Sequence, residues 1–218
     1  MPEFRYGWLP YTAAACLSLL QGCQPAMTTS PSEAPVQNDA LGGKRMQPPP
    51  ETLAVPLRFG GHGFEAHCYN TFGCQVDYAD VRQVGLSHTD DPDGYRSPAP
   101  PSNDYKDHWG PASHIGIRNF PPPAQVRWKS LDGAQHEASV DVAALFKDEL
   151  IWHKVPKEDM FKFFEGPYAG DPSIYLEVND RTINIYTRML VPTLTEQIPG
   201  NKHSSARTDL FLVRTRVY

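Results

Sequence analysis

The chain has 218 residues with 20 basic and 25 acidic side chains, a formal net charge of −5. That balance gives no reason to expect a nucleic-acid partner, whose phosphates call for an excess of Lys and Arg. A hydrophobic share of 40% suits one globular core, while 22 prolines point to long irregular stretches.

Arg5 supplies a positive start, and Trp8 to Leu20 form an apolar run. The run is too short for a stop-transfer helix and fits a signal-peptide core. It closes on Leu20-Gln21-Gly22-Cys23. This closure resembles the lipobox of bacterial lipoproteins, with Leu20 at the recognition position, Gly22 before the cleavage point and Cys23 as the lipid acceptor. The resemblance implies a removable signal over 1–22 and a mature chain held by lipid on Cys23. Gln24 follows where an aspartate would imply inner-membrane retention, so the resemblance implies the outer membrane, facing the periplasm. Several acyl chains together anchor stably where one does not. The alternative is an ordinary cleaved signal with an incidental cysteine. No second apolar run is long enough to cross a bilayer.

From Gln24 to about Thr52 the chain is poor in large apolar residues and ends in Pro48-Pro49-Pro50. Such a stretch buries too little to offset its ordering entropy, so residues 23–52 are expected to form a tether. A single β-rich domain is expected over 53–218. Cys16 leaves with the signal and Cys23 takes the lipid, which leaves Cys68 and Cys74 as an even pair in an oxidising compartment. The segment between them reads as a tight loop with Gly73 at the turn, closed by a disulfide. The other reading is a metal pair completed by His62 and His67, although zinc usually takes four ligands at tighter spacings.

Strand patterns dominate the rest. Val76 to Val81 partly alternates. Val126-Arg127-Trp128 and Ala138 to Val142 flank an Asp132-Gly133 turn, a hairpin signature. Ile174 to Val178 and Arg181 to Tyr186 flank Asn179-Asp180, a second one. Leu210 to Tyr218 reads as a further strand. Together they predict an α+β, mainly β fold, an antiparallel sheet or sandwich with one or two short helices and long loops. A helix is expected to open at Pro156-Lys157-Glu158-Asp159 and run through Phe161, Phe163 and Phe164 to Gly166-Pro167. Ala143 to Leu150 suits another short turn.

Between His88 and Pro123 the chain is rich in acids, prolines and aromatics, and a loop of this length inside a domain is usually functional or disordered. Asp91, Asp93, Tyr95, Asp104, Tyr105, Asp107 and Trp109 are the candidate partner-binding residues, with aromatic anchors and steering acids. Catalytic signatures are weak. Ser87-His88 lacks the glycine frame of a nucleophile elbow. Asp90-Asp91-Pro92-Asp93-Gly94 lacks the alternating acids and distant glutamate of an EF-hand and reads as a polar turn. His108 and His114 are scattered loop histidines, and no glycine-rich phosphate loop follows a strand. The sequence implies no catalytic residue, cofactor or metal.

The lipobox, the proline-rich tether, Cys68-Tyr69-Asn70-Thr71 near the domain start, and Pro123 to Trp128 followed by Asp132-Gly133, His136 and Val140 come in an order with a known counterpart. Over roughly Phe64 to Met189 the chain is similar to the lipoproteins that confer immunity to type VI secretion phospholipases. The resemblance implies a periplasmic, membrane-anchored antitoxin that binds and inhibits a secreted phospholipase effector. The competing readings are an envelope assembly lipoprotein that binds another envelope component, and an exported hydrolase that draws His and Asp from the irregular loops.

Overall fold

The computed structural model of the chain describes residues 37–38, 42–85, 96–161 and 169–218. The lipobox and Cys23, the loop positions Asp91, Asp93 and Tyr95, and the aromatic pair Phe163 and Phe164 lie outside the described residues.

The elements in order are β1 (Gln37–Asn38), β2 (Lys44–Arg45), α1 (Pro50–Ala54), β3 (Gly61–Tyr69), β4 (Thr71–Tyr78), β5 (Val81–Val84) and β6 (Arg96–Ser97). They continue with β7 (His114–Arg118), β8 (Ala124–Lys129), β9 (Gln135–Val140), α2 (Val142–Leu145), β10 (Ser173–Asn179), β11 (Thr182–Arg188), β12 (Val191–Pro192), β13 (Ala206–Arg207) and β14 (Leu210–Val217). A seven-stranded sheet runs in the order β1-β2-β14-β11-β10-β3-β7. A second sheet runs β5-β4-β8-β9 with β6 also paired to β4, and β12 and β13 form a small ribbon. The fold is mainly β, as the alternation predicts. One pairing departs from the antiparallel expectation: β10 lies parallel to β3, with Ser173 beside Gly63 and Asn179 beside Tyr69.

The two sheets share one core. Phe64, Ala66, Ile174, Leu176, Val178, Ile183, Ile185 and Val213 point inward from the larger sheet. Val76, Tyr78, Val126, Trp128 and Val140 meet them from the smaller one. The Phe64 and Tyr78 rings lie 4.3 Å apart across the interface. Each such side chain, fully buried, contributes about 1.5–3 kcal/mol.

Two hairpins match the turn signals. β8 pairs with β9 from Ala124↔Val140 to Lys129↔Gln135. β10 pairs with β11 from Ser173↔Arg188 to Asn179↔Thr182. The run from Val76 to Val81 is not one strand. Ala79 and Asp80 both take positive φ, 52° and 60°, and Tyr78 pairs with Val81 across them. That is the geometry of a two-residue primed turn, built here without the Asn-Gly signature that betrays one.

The corner between β3 and β4 carries the chain from one sheet to the other. Asn70 makes it at φ 53°, a left-handed conformation that Asn tolerates better than most residues. Cys68 on β3 and Cys74 on β4 are bridged, with Cα atoms 6.3 Å apart. The bridge therefore staples the two sheets rather than closing a free loop, and Gly73 sits in the irregular stretch of β4 rather than at the turn. A closed loop this short restricts the unfolded chain by about 2–3 kcal/mol. Cys68→Ser/Cys74→Ser is expected to lose that amount in urea titration, and alkylation of the unreduced, denatured protein is expected to label neither thiol.

Other expectations are corrected. Ordered structure begins well before Leu53, so the tether does not extend to residue 52. β2 pairs with β14 at Lys44↔Thr215 and Arg45↔Arg214, and Pro50 occupies the first turn of α1, where its missing N–H costs nothing. Thr52 is fully buried. Its hydroxyl donates to the His153 carbonyl and accepts from the His153 N–H. Of the helix expected from Pro156, the described residues form a 3-10 turn, Lys157–Asp159, that ends in extended backbone at Met160, and its part from residue 162 to Gly166-Pro167 lies outside the described residues. Met160 is captured by a bridge to Thr193, so a tertiary pairing overrides the local helix signal. The expected turn after Ala143 appears as α2, capped by the Asp141 carboxylate accepting from Ala144 N–H.

Candidate functional site

The outer face of the larger sheet is covered by the segment from Pro98 to Ser113. Its centre is a 3-10 turn, Tyr105–His108. Strand alternation decides what lies beneath. The residues of β10 between the inward aliphatics are Tyr175 and Glu177. Register places Glu65 and Tyr186 on either side of Tyr175, and His67 and Asn184 on either side of Glu177. The outer face thus carries rows of aromatic and polar groups where the inner face carries aliphatic ones.

Glu177 has no exposed surface. The Tyr105 hydroxyl donates to its Oε1. Asn184 Nδ2 donates to Oε2 at 2.9 Å and the Tyr186 hydroxyl at 3.2 Å. Burial first, and then the Glu177 carboxylate, push both phenols far above the usual tyrosine range, which keeps them protonated and donating. Lys106 Nζ stands 3.9 Å from Glu177 Oε1 and 4.3 Å from the centre of the Tyr105 ring.

The backbone of the turn is clamped as well. Arg188 donates from Nη1 to the Trp109 carbonyl and from Nη2 to the Lys106 carbonyl. The Tyr175 hydroxyl donates to the Gly110 carbonyl at 2.6 Å. Further along, Ala112 N–H donates to Ser173 Oγ and Ser113 N–H to Glu65 Oε2. Trp109 lies flat on the His67 imidazole, with centroids 4.4 Å apart and planes 16° apart, and meets Tyr186 edge-on.

Tyr105 and Trp109 therefore do not serve as exposed anchors. They are 8% and 7% exposed and form a second buried cluster with Tyr175 and Tyr186. Their anchoring is to their own sheet. Asp104 and Asp107 remain exposed on top of the turn. Asp104 lies below the usual carboxylate range through hydrogen bonding, first from Ser102. His108 stands 3.7 Å from it. Beside the turn a pocket of about 360 Å³ is lined by Trp109, Tyr175, Arg188, Met189 and Asp171.

The metal reading of the cysteine pair does not fit. Cys68 and Cys74 are bonded to each other. His62 is buried in the core against Asn119 Oδ1 and the Tyr78 hydroxyl, while His67 occupies the opposite face of β3. No group of three or more His, Cys, Asp or Glu positioned for a metal occurs among the described residues. One Ser-His-Asp grouping does form in the β8–β9 turn. Ser130 Oγ lies 2.9 Å from His136 Nε2, but its hydroxyl donates to Asp132 and it has no exposed surface. It knits a turn and offers no substrate an approach. No helix among the described residues is long and apolar enough to cross a membrane.

Glu177, Tyr175 and Arg188 were not singled out by motif, and His67 only as a candidate metal ligand beside the cysteine pair. Their signal is the period-2 alternation itself: a strand whose outward set is Tyr and Glu implies a second covered layer. Comparison with protein families, with curated proteins and with solved structures finds no match.

Proposed function

We propose that the chain is a periplasmic, membrane-anchored immunity protein that binds and inhibits a secreted phospholipase effector of the type VI secretion system. The observation that carries this reading is the Tyr105–Gly110 turn. It is fixed from below by Glu177, Arg188 and Tyr175 and presents Asp104 and Asp107 outward at set positions. A loop held in one shape before binding loses little entropy on docking, which is how rigid inhibitor loops reach high affinity. Its acids suit a basic phosphate-binding cleft, where complementary charge raises the on-rate and fixes orientation. The lipobox-like closure at Cys23 and the cysteine pair are in keeping with a protein that waits in an oxidising compartment beside a membrane.

The test is protection of cells that export the phospholipase into their own periplasm. The chain is expected to restore growth, and purified chain to suppress phospholipid hydrolysis. Absence of both overturns the reading. Cys23→Ala is expected to abolish membrane fractionation and weaken protection at low expression. Asp104→Ala/Asp107→Ala is expected to slow association and flatten its dependence on salt, with little change in thermal stability, because rim charges act chiefly on encounter. Stopped-flow binding at low and high salt measures this.

A further inference from the structure

We propose that the Tyr105–Gly110 turn is an acid-released clasp and that the imidazole of His67 is its trigger. Neutral His67 holds the turn down through its stack on Trp109, and protonated His67 lets it lift.

The geometry singles out this ring. Its Nε2 is buried and has no hydrogen-bond partner, and the nearest acidic oxygen, Glu65 Oε1, is 3.8 Å away. An unprotonated nitrogen tolerates that place. A protonated one adds a charged donor there without an acceptor in bonding range. Glu65 Oε2 is already engaged by the Ser113 N–H. The groups that face the ring are Glu65 and Tyr69 on β3, Tyr175 and Glu177 on β10, and Trp109 on the turn; Lys106 on the turn is 3.9 Å from Glu177. A proton on His67 places a charge in a layer that burial screens from water.

The direction of proton binding agrees. Burial holds His67 below the ordinary imidazole range, outweighing the pull of Glu65 and Glu177. A histidine depressed in the closed form contributes its full stabilisation above the unperturbed value, 6.5. That contribution fades as pH falls below 6.5 toward the depressed value, because the open form takes the proton first. The pocket beside Trp109 leaves the indole room to move without overpacking its neighbours. When the turn lifts, His67 reaches water, and Asp104 and Asp107 lose their fixed spacing. The consequence for a bound phospholipase rests on the function proposed above; the clasp itself does not.

The test uses the full chain without any partner. The Trp109 indole N–H, which donates to the Tyr69 hydroxyl at 3.4 Å, is followed by hydrogen exchange in NMR from about pH 7.5 to about pH 5, across the ordinary histidine range. Corrected for intrinsic exchange, its opening is expected to rise several-fold on acidification while the amides of β10 and β11 stay protected. His67→Phe keeps a flat ring on Trp109 and is expected to abolish the rise; His67→Gln serves if the phenylalanine variant does not fold. A pH-independent opening in the unmodified chain overturns the clasp. So does an undiminished rise in the variant, which would place the titration on His62, His153 or the carboxylates. Either failure leaves the phospholipase protection assay untouched, so the two proposals fall separately.

Discussion

Trp109→Ala is expected to lower the stability of the protein by about 3–5 kcal/mol, the range for truncating a large buried aromatic. In a domain of this size each kcal/mol moves Tm by about 2–4 °C, so a fall on the order of 10 °C is expected in calorimetry. The reason is the position of the indole. It is 7% exposed, stacks on His67 and packs against Tyr175, Tyr105 and Tyr186. Its loss also frees the carbonyl clamp of Arg188 from a fixed target. Partner binding is expected to fall as a consequence of the turn loosening. An unchanged Tm with lost binding would show instead that Trp109 is a direct contact. Trp109→Phe keeps most of the stack and is expected to keep most of the stability.

Glu177→Ala is the second large effect. The carboxylate accepts from Tyr105, Tyr186 and Asn184. Its removal strands three donors in or near a buried layer, at about 1–3 kcal/mol for each one left without a partner. A total above about 3 kcal/mol is expected in urea titration, allowing for partial rescue by entering water. Lys106→Met is the contrast. Its ammonium is partly exposed and 3.9 Å from the carboxylate, so its loss is expected to cost less than about 1 kcal/mol. If both substitutions cost the same, charge pairing rather than hydrogen bonding fixes the turn.

The hairpins were legible because Asp132-Gly133 and Asn179-Asp180 are local turn signals between alternating runs. The β4–β5 turn was not, because Ala79-Asp80 enters the left-handed region without a glycine, under the pull of the flanking pairings. The start expected for a helix at Pro156 gives only a 3-10 turn, because Met160 leaves it in extended backbone and bridges Thr193. Aromatics among acids suggested a recognition surface at Tyr105 and Trp109. In the fold those rings face inward, because the outer face of β10 offers Tyr175 and a buried carboxylate to receive them. Composition reveals that such groups exist, while only register reveals which way they point. The acids Asp104 and Asp107 stay outside, where the sequence reading places them.

The parallel pairing of β3 with β10 also governs how the domain comes together. Ser173 must find Gly63, and Thr215 must find Lys44, before the larger sheet has its interior strands. No early stretch can complete that sheet alone. Chains dominated by such distant pairings fold slowly, on the order of milliseconds to seconds. For a chain exported as proposed above, such slow closure would keep it extended until its distal strands have crossed the membrane.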